Sequence, residues 1–490
     1  MNISELSPQI LWRHFAMLCE CPRASGHEIA LRDQLRGWAD GLGLENLLDA
    51  GGNLIIRKPA TRGMDGHVGV ILQAHLDMVC QKNRGNEHDF SKDPIHPIID
   101  GDWVRADGTT LGADNGIGVA AALAVLEDAD IEHGPLEVLL TLDEEAGMTG
   151  ARTLEPELLR GKFLFNLDTE DMGELCVGCA GGLDLTLRRH VGHDPLSAAF
   201  MTRQICVTGL KGGHSGCDIH LERPNAIRLL ARFLQEARQQ TDLRLISMNG
   251  GSVRNALPRE ACAIVAVPAC DGGILEALAE VAEDRFRLEF TGVDEGICVS
   301  VDESGTCPSG SGAGEMLRAA DTQSVIDLLL ALPHGVRRWS NVLPDVVETS
   351  NNLGVVELER DFEVVLMARS LTEAGLNDVA SCIAACARLG HATVERGTAY
   401  PGWVPDMSSR ALQVAQGVYR AQFLAEPRVT VMHAGLECGL IGAKYPRVEM
   451  VSFGPTIENA HSPDERVEIK AVAEFWEFLK ACLVTVPRVW

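Results

Sequence analysis

Two histidines and five carboxylates in this 490-residue chain are of the types, and fall at the places, that could hold metal ions beside a general base: His75, Asp77, Asp114, Glu144, Glu145, Asp168 and His461. His75, the Glu144-Glu145 pair, Asp168 and, after a loop, His461 each follow a short apolar run, and Asp114 heads a glycine-containing helix start, Ala113-Asp-Asn-Gly-Ile-Gly118. In an open α/β sheet ligands bind outside the carboxyl ends of the strands, so segments distant in sequence can meet at one edge. One carboxylate has two oxygens and can bridge two ions about 4 Å apart. If Asp114 bridges, His75 with Asp168 can serve one ion and Glu145 with His461 the other, a shared water completing four-coordinate zinc. Two acids are left over. Asp77, two residues after His75, can accept the second ring N–H of that histidine and fix its tautomer. Glu144 can take a proton from water and deliver it to a departing amine. Singly, each residue has a commoner role: a solvated loop for His-x-Asp or Asp-Glu-Glu, an N-cap for Asp114, a turn for Asp168, a surface histidine for His461. Together, at predicted strand ends and helix starts, they read as the centre of a metal-dependent hydrolase.

The elements that must position them follow from periodicity. Ser7-Pro8 offers a cap and first-turn proline before Leu11, Phe15 and Leu18, and Ser25 with Glu28 forms a capping-box pattern before Leu31, Leu35 and Trp38. The runs 68–73, 136–142 and 163–167 are nearly continuous in apolar residues, as strands covered on both faces are. The alanine-rich stretch 118–126 between the first two favours helix. Strand, helix, strand, helix implies a mixed, largely parallel α/β sheet. The style returns near the end, with a helix around 409–423, a strand at 448–453 and a helix around 471–483. Residues 1–185 and 401–490 are therefore expected to form one catalytic domain interrupted by an α+β domain at 186–400. That insertion carries strand signals at 204–207, 261–267 and 362–367 and helices near 226–237 and 376–389. The Gly/Ser/Pro-rich stretch 304–314 reads as a linker between its two halves.

Composition removes several function classes. A net charge of −26 opposes phosphate backbones and anionic lipid, so nucleic acid and membrane surface are not expected partners. No apolar run approaches the roughly 18 residues of a spanning helix and residues 1–8 lack a secretory pattern, so the expected compartment is the cytoplasm. Fifteen scattered cysteines fit a secreted disulfide framework poorly; most are expected reduced and buried. The Cys176-x-x-Cys179 pair lacks the second pair of a zinc ribbon and the helix of a redox motif.

With those residues in view, the segments Gln73-Ala-His-Leu-Asp-Met78, Leu111-Gly-Ala-Asp-Asn-Gly-Ile-Gly118, Asp143-Glu-Glu-Ala-Gly147, Asn166-Leu-Asp-Thr-Glu170, Gly212-Gly-His-Ser-Gly216 and Ala460-His-Ser-Pro463 are similar to those of the di-zinc metallopeptidases that include aminoacylases, carboxypeptidases and carnosinases. Over nearly its whole length the chain resembles the Xaa-His dipeptidase branch of that superfamily. The resemblance implies a di-zinc exopeptidase-type catalytic domain with residues 186–400 as a lid. It implies His75, Asp114, Glu145, Asp168 and His461 as ligands of two zinc ions, for which cobalt or manganese can substitute. It implies Asp77 as orienting acid, Glu144 as base, and a zinc-bridging hydroxide as nucleophile. It also implies lid residues that stabilise the oxyanion, matched here by His214 and Asn255, and an arginine for the substrate carboxylate, matched by Arg369. For these the plainer roles are a turn residue, a turn-shaping Asn before Ala-Leu-Pro, and a solvent-facing strand end. His433 and Glu437 are candidates for the free amino group of a dipeptide, with loop and helix-cap duty as the alternative.

Three functions follow as expectations. The first is a dipeptidase acting on Xaa-His dipeptides, including β-alanyl-histidine (carnosine). The second is a deacylase of N-acyl amino acids, or a broader dipeptidase, on the same scaffold. The third is a metal-binding or interaction protein that has lost catalysis, against which the presence of Glu144 argues. A homodimer is compatible with a lid of this size.

Overall fold

The computed structural model describes residues 2–303 and 314–489; the stretch read as a linker lies, but for Gly314, outside the described residues. The chain forms two compact units. The first comprises Met1–Cys179, Trp403–Val431 and Leu436–Trp490, and the second Ala180–Gly402 with Met432–Gly435.

The first unit is built on an eight-stranded mixed sheet. Its order is Glu45–Leu48, Leu54–Lys58, Leu136–Thr141, Val70–His75, Phe163–Asn166, Glu449–Ser452, Glu174–Cys179, Arg428–Met432. The four strands Leu136–Thr141, Val70–His75, Phe163–Asn166 and Glu449–Ser452 run parallel, and the antiparallel pairings flank them. Strands Val70–His75, Leu136–Thr141 and Phe163–Asn166 are buried at every residue, as the continuous apolar runs predict. The helix Ala113–Glu127 is buried almost all round, packing on strand Val70–His75 and on helix Gln9–Cys19, where its alanines allow close approach. A tilted aromatic cluster, Phe165, Phe453, Phe475 and Phe478, fills the core beneath the last helix, Ile469–Thr485.

Two predicted caps differ. Helix Gln9–Cys19 starts after Pro8 without a side-chain cap. Ahead of helix Ile29–Gly41, the Ser25 hydroxyl donates to Asp77 (2.8 Å), while Glu28 accepts N–H bonds from Gly26 and Asp143 (both 2.9 Å). The pattern was visible, but both side chains are spent on the functional edge of the sheet.

The second unit is one continuous antiparallel sheet of nine strands. The order is Cys298–Glu303, Phe200–Thr208, Ala261–Pro268, Arg244–Gly250, Val347–Leu358, Asp361–Ser370, Gly181–His190, Thr393–Arg396, with Gly335–Trp339 also paired to Val347–Leu358. Helices Ala226–Gln240, Gly272–Glu289, Ala319–Ala331 and Glu373–Leu389 supply its core with residues such as Phe233, Phe286 and Ile383. Strand Asp361–Ser370 buries Phe362, Val364, Leu366 and Ala368 in alternation, the period of a sheet.

Cys206 and Cys262, directly opposed on neighbouring strands, form a disulfide. Of the twelve free cysteines among the described residues only five are buried, which corrects the expectation of mostly buried thiols. Five others are half-buried, and Cys217 and Cys270 are exposed. Cys176 and Cys179 share a buried strand, and burial pushes the Cys179 thiol up to about 12, which leaves it unreactive.

Candidate metal centre

Parallel strands deliver the expected residues to one edge. His75 is the last residue of its strand. Beyond Leu136–Thr141 the chain turns at Asp143 (φ 55°) into the short helix Glu144–Gly147, which presents both glutamates. Asp168 follows Phe163–Asn166. Gly112 takes φ 69°, where an added Cβ would also collide with the Arg23 guanidinium, and this left-handed step sets the direction in which Asp114 leaves the loop. The Asp114–Asn115 peptide bond is cis.

Asp114 stands between two groups of donors. Its Oδ1 lies 3.1 Å from His75 Nε2, which is also 3.3 Å from Asp168 Oδ1. Its Oδ2 lies 3.1 Å from His461 Nε2, which is also 3.0 Å from Glu145 Oε2. Nitrogen and oxygen ligands about 2.0–2.1 Å from a tetrahedral zinc are roughly 3.3–3.4 Å from each other, so each triad has nearly the spacing of ligands around one ion. Glu144 offers a carboxylate oxygen within 4.8 Å of ligand atoms of His75 and Glu145. Glu145 Oε1 is buried with no hydrogen-bond partner, as a donor aimed at a cation would be.

The electrostatics agree. Five acids face two histidines. Against burial, which lowers it, Asp168, Asp114 and Asp77 raise the pKa of His75 well above its usual value. Hydrogen bonds to Asp114 and Glu145 raise His461 to about 11. The same crowding and burial raise Glu144 and Glu145, so the cluster favours protons on histidines and acids alike, and divalent cations would take their place.

Asp77 organises both sides. His75 Nδ1 hydrogen bonds to the Asp77 backbone carbonyl (3.2 Å) and lies 3.3 Å from Asp77 Oδ1, while the two carboxylate oxygens accept the backbone N–H of Glu144 (2.9 Å) and Glu145 (3.1 Å). Asp77 thus orients a histidine ligand through both its carbonyl and its charge, and its carboxylate caps the first turn of the helix carrying both glutamates. Although burial opposes it, these bonds hold Asp77 down to about 2. Asn115 performs a similar service, donating to Leu167 O (2.8 Å) and to Asp168 Oδ1. Gly118 keeps room for that contact, since a Cβ there would strike Asn115 Oδ1 and Leu167 O.

The peptidase family M20/M25/M40 model matches residues 71–485. Cytosol non-specific dipeptidase of Escherichia coli K12 is 46% identical over 487 residues, covering 99% of this chain and 99% of that protein. The crystal structure of aminoacylhistidine dipeptidase from Vibrio alginolyticus superimposes with a TM-score of 0.90 at 46% identity, over 100% of this chain and 99% of that one. The chain belongs to peptidase family M20/M25/M40. The aminopeptidase PepT structure from Bacillus cereus, at 18% identity, TM-score 0.55 and coverage of 98% and 99%, shares the fold. The resemblance read from the motifs is thereby borne out, and this M20 protein is a peptide hydrolase of a metallopeptidase family. Among the described residues no helix is long and apolar enough to cross a membrane.

In the second unit of the M20 peptidase another cluster forms. Arg369, only 3% exposed, donates to Ser215 Oγ (3.4 Å) and Tyr400 Oη (3.1 Å), and its Nη2 lies 3.4 Å from His214 Nε2. His214 Nδ1 accepts the N–H groups of Gly216 (3.3 Å) and Cys217 (3.0 Å), which leaves the proton on Nε2. Burial and the Arg369 charge lower its pKa to about 4, so at neutral pH it is a neutral donor. His433 is buried against Ser350 Oγ (2.8 Å). Asn255 is brought near only by its backbone: its carbonyl accepts the Ser215 N–H (2.8 Å), and its side chain is exposed.

Glu437 belongs to the first unit, where its fully buried carboxylate accepts bonds from Gln73 Nε2 and Thr141 Oγ1, both 2.6 Å. Burial raises it to about 7, and Oε1 has no partner. Glu170, half-buried and pushed up to about 8 by desolvation and by the charges of Asp114 and Asp168, went unnoticed in the sequence although it sits in the Asn166–Glu170 motif. Arg23, Asn115, Ser215, Tyr400 and Glu465 were also missed, because each acts through a backbone group or a partner far away in sequence.

The neutral histidines carry a pH dependence. His214 (about 4), His334 and His433 (both about 3) lie below the ordinary 6.5, chiefly through burial. Below about pH 6.5 the unfolded chain takes up protons that the folded unit refuses, so stability falls as the pH drops toward 4. The melting temperature of metal-loaded protein is expected to decline from pH 7 to pH 5, and to decline less steeply in His334→Asn. Equal slopes would show that this histidine is not held neutral.

Proposed function

We propose that this M20 protein is a cytoplasmic dipeptidase using two zinc ions and acting on Xaa-His dipeptides, β-alanyl-histidine among them. The observation that carries the reading is the pair of ligand triads sharing Asp114, with Glu144 beside them. The relatives named as dipeptidases over almost the full chain support the substrate class, and the word cytosol in one name supports the compartment.

His75, Asp114 and Asp168 would hold one zinc, and Asp114, Glu145 and His461 the other. Zinc so held lowers the pKa of water to about 7 and polarises a carbonyl oxygen. The rest falls to the chain. Glu144, raised well above the usual carboxylate range chiefly by burial, accepts the proton of the attacking water and returns it to the amine that leaves. Asp77 holds His75 and the Glu144 turn in register. The resemblance supports three further roles, proposed for residues of the second unit: His214 and the exposed Asn255 side chain as donors to the developing oxyanion, and the Arg369 guanidinium as the group that receives the substrate carboxylate. Glu437 and His433 serve the amino end, Glu437 as the buried acceptor with an open oxygen.

Rates on β-Ala-His, Gly-His, Gly-Leu and an N-acetyl amino acid, with and without chelator, test the reading. Unblocked dipeptides should be cleaved, histidyl ones fastest, and chelation should abolish the activity. A preference for the N-acetyl substrate would make the protein a deacylase, and hydrolysis of none of them would overturn the dipeptidase reading.

A further inference from the structure

Four consecutive backbone N–H groups precede or include the bridging aspartate, and all of them point at one side chain. Glu465 Oε2 accepts from Leu111 (2.7 Å) and Gly112 (2.9 Å), and Oε1 from Ala113 (2.7 Å) and Asp114 (3.3 Å). Successive N–H groups around a left-handed step form a concave anion site, and here the anion is the chain's own carboxylate. Glu465 is only 2% exposed, so these bonds are shielded from water. It lies four residues beyond His461, in a tight turn closed by Glu465 N–H to Ser462 O (3.0 Å) and Asp464 N–H to Ser462 Oγ (3.2 Å). The loop that carries His461 therefore grips the loop that carries Asp114.

Arg23 grips the same loop from its carbonyl side. This buried guanidinium donates to Leu76 O (3.1 Å), Asp77 O (3.0 Å) and Gly112 O (2.5 Å), tying the loop to the strand end that carries His75. Gly112 is thus bonded through its N–H to Glu465 and through its carbonyl to Arg23.

We propose that Glu465 is a positioning residue for the metal centre: it fixes the spacing between Asp114 and His461, the two ligands joined at 3.1 Å, while Arg23 fixes that between Asp114 and His75. This rests on the metal-centre reading above. The bonds must be charge-assisted and all accepting, a requirement that glutamate meets and glutamine cannot. In Glu465→Gln one oxygen becomes an NH₂ facing two N–H groups, so the 111–114 loop is pushed away although the side chain keeps its size. Glu465→Asp keeps the charge but withdraws it by one methylene.

Equilibrium dialysis against buffered Co²⁺, read by metal content and by the visible absorption of the bound ion, tests this on the full chain. Wild type should bind two equivalents. Glu465→Gln should bind at least one of them tenfold or more weakly and show an altered cobalt spectrum, with far-UV circular dichroism retained. High free Co²⁺ should restore peptidase activity. Asp464→Asn, an exposed neighbour on the same turn, should match wild type. If Glu465→Gln does not fold, Glu465→Asp carries the same expectation. Two equivalents at wild-type affinity and an unchanged spectrum in a folded Glu465 variant would overturn the assignment. Failure of wild type to bind cobalt would instead overturn the metal-centre reading itself.

Discussion

Glu144→Gln is expected to lower kcat by about 10²–10⁴-fold, the usual worth of a positioned acid or base, while metal content stays at the wild-type level. The separation of these two outcomes follows from the geometry. Glu144 stands beside both ligand groups but outside the triads that share Asp114, and its backbone N–H is held by Asp77 whatever its side chain. Glutamine preserves that turn and the side-chain volume, but it cannot take up a proton. KM should change little, because the substrate contacts proposed for Arg369 and His214 are left as they were. Steady-state kinetics beside elemental analysis checks this. Near-normal turnover would remove Glu144 from the proton path, and loss of metal would make it a ligand.

The second large effect is expected at Asp114. Its two oxygens face different histidines, so Asp114→Ala removes one ligand from each triad, whereas His75→Ala removes a ligand from one. After dialysis under matched conditions Asp114→Ala should lose both metals more readily than His75→Ala. Activity should fall to the level of chelated wild type. The opposite order of metal loss would mean that Asp114 does not bridge.

Much of this was legible in the sequence because the sheet is parallel where it matters. Strands buried on both faces leave continuous apolar runs, and the polar residues ending them must then share one edge; His75, Glu144, Glu145 and Asp168 were found in that way. Asp114 was legible as the acid of a glycine-bounded helix start. What stayed hidden acts through the backbone. Ser25 and Glu28 match a capping box, yet their side chains serve Asp77 and Asp143, since a group able to cap its own helix bonds equally well to a distant partner. Nothing local marks Arg23 or Glu465, whose partners are carbonyl and N–H groups that every residue possesses. In the second unit Arg369 was found by resemblance, while its companions Tyr400 and Ser215 follow only from strand register and loop closure. Asn255 matched a motif, yet it is the Asn255 carbonyl that bonds to the Ser215 N–H. The Cys206–Cys262 disulfide depends on the pairing of two strands that local sequence does not specify.

Anomalous scattering at the zinc edge from a crystal of the zinc-saturated chain tests the shared-carboxylate centre most directly. Two peaks about 4 Å apart are expected, one beside His75 and Asp168, the other beside Glu145 and His461, with Asp114 touching both. A single peak at saturating zinc, or Asp114 turned away from either ion, would contradict it.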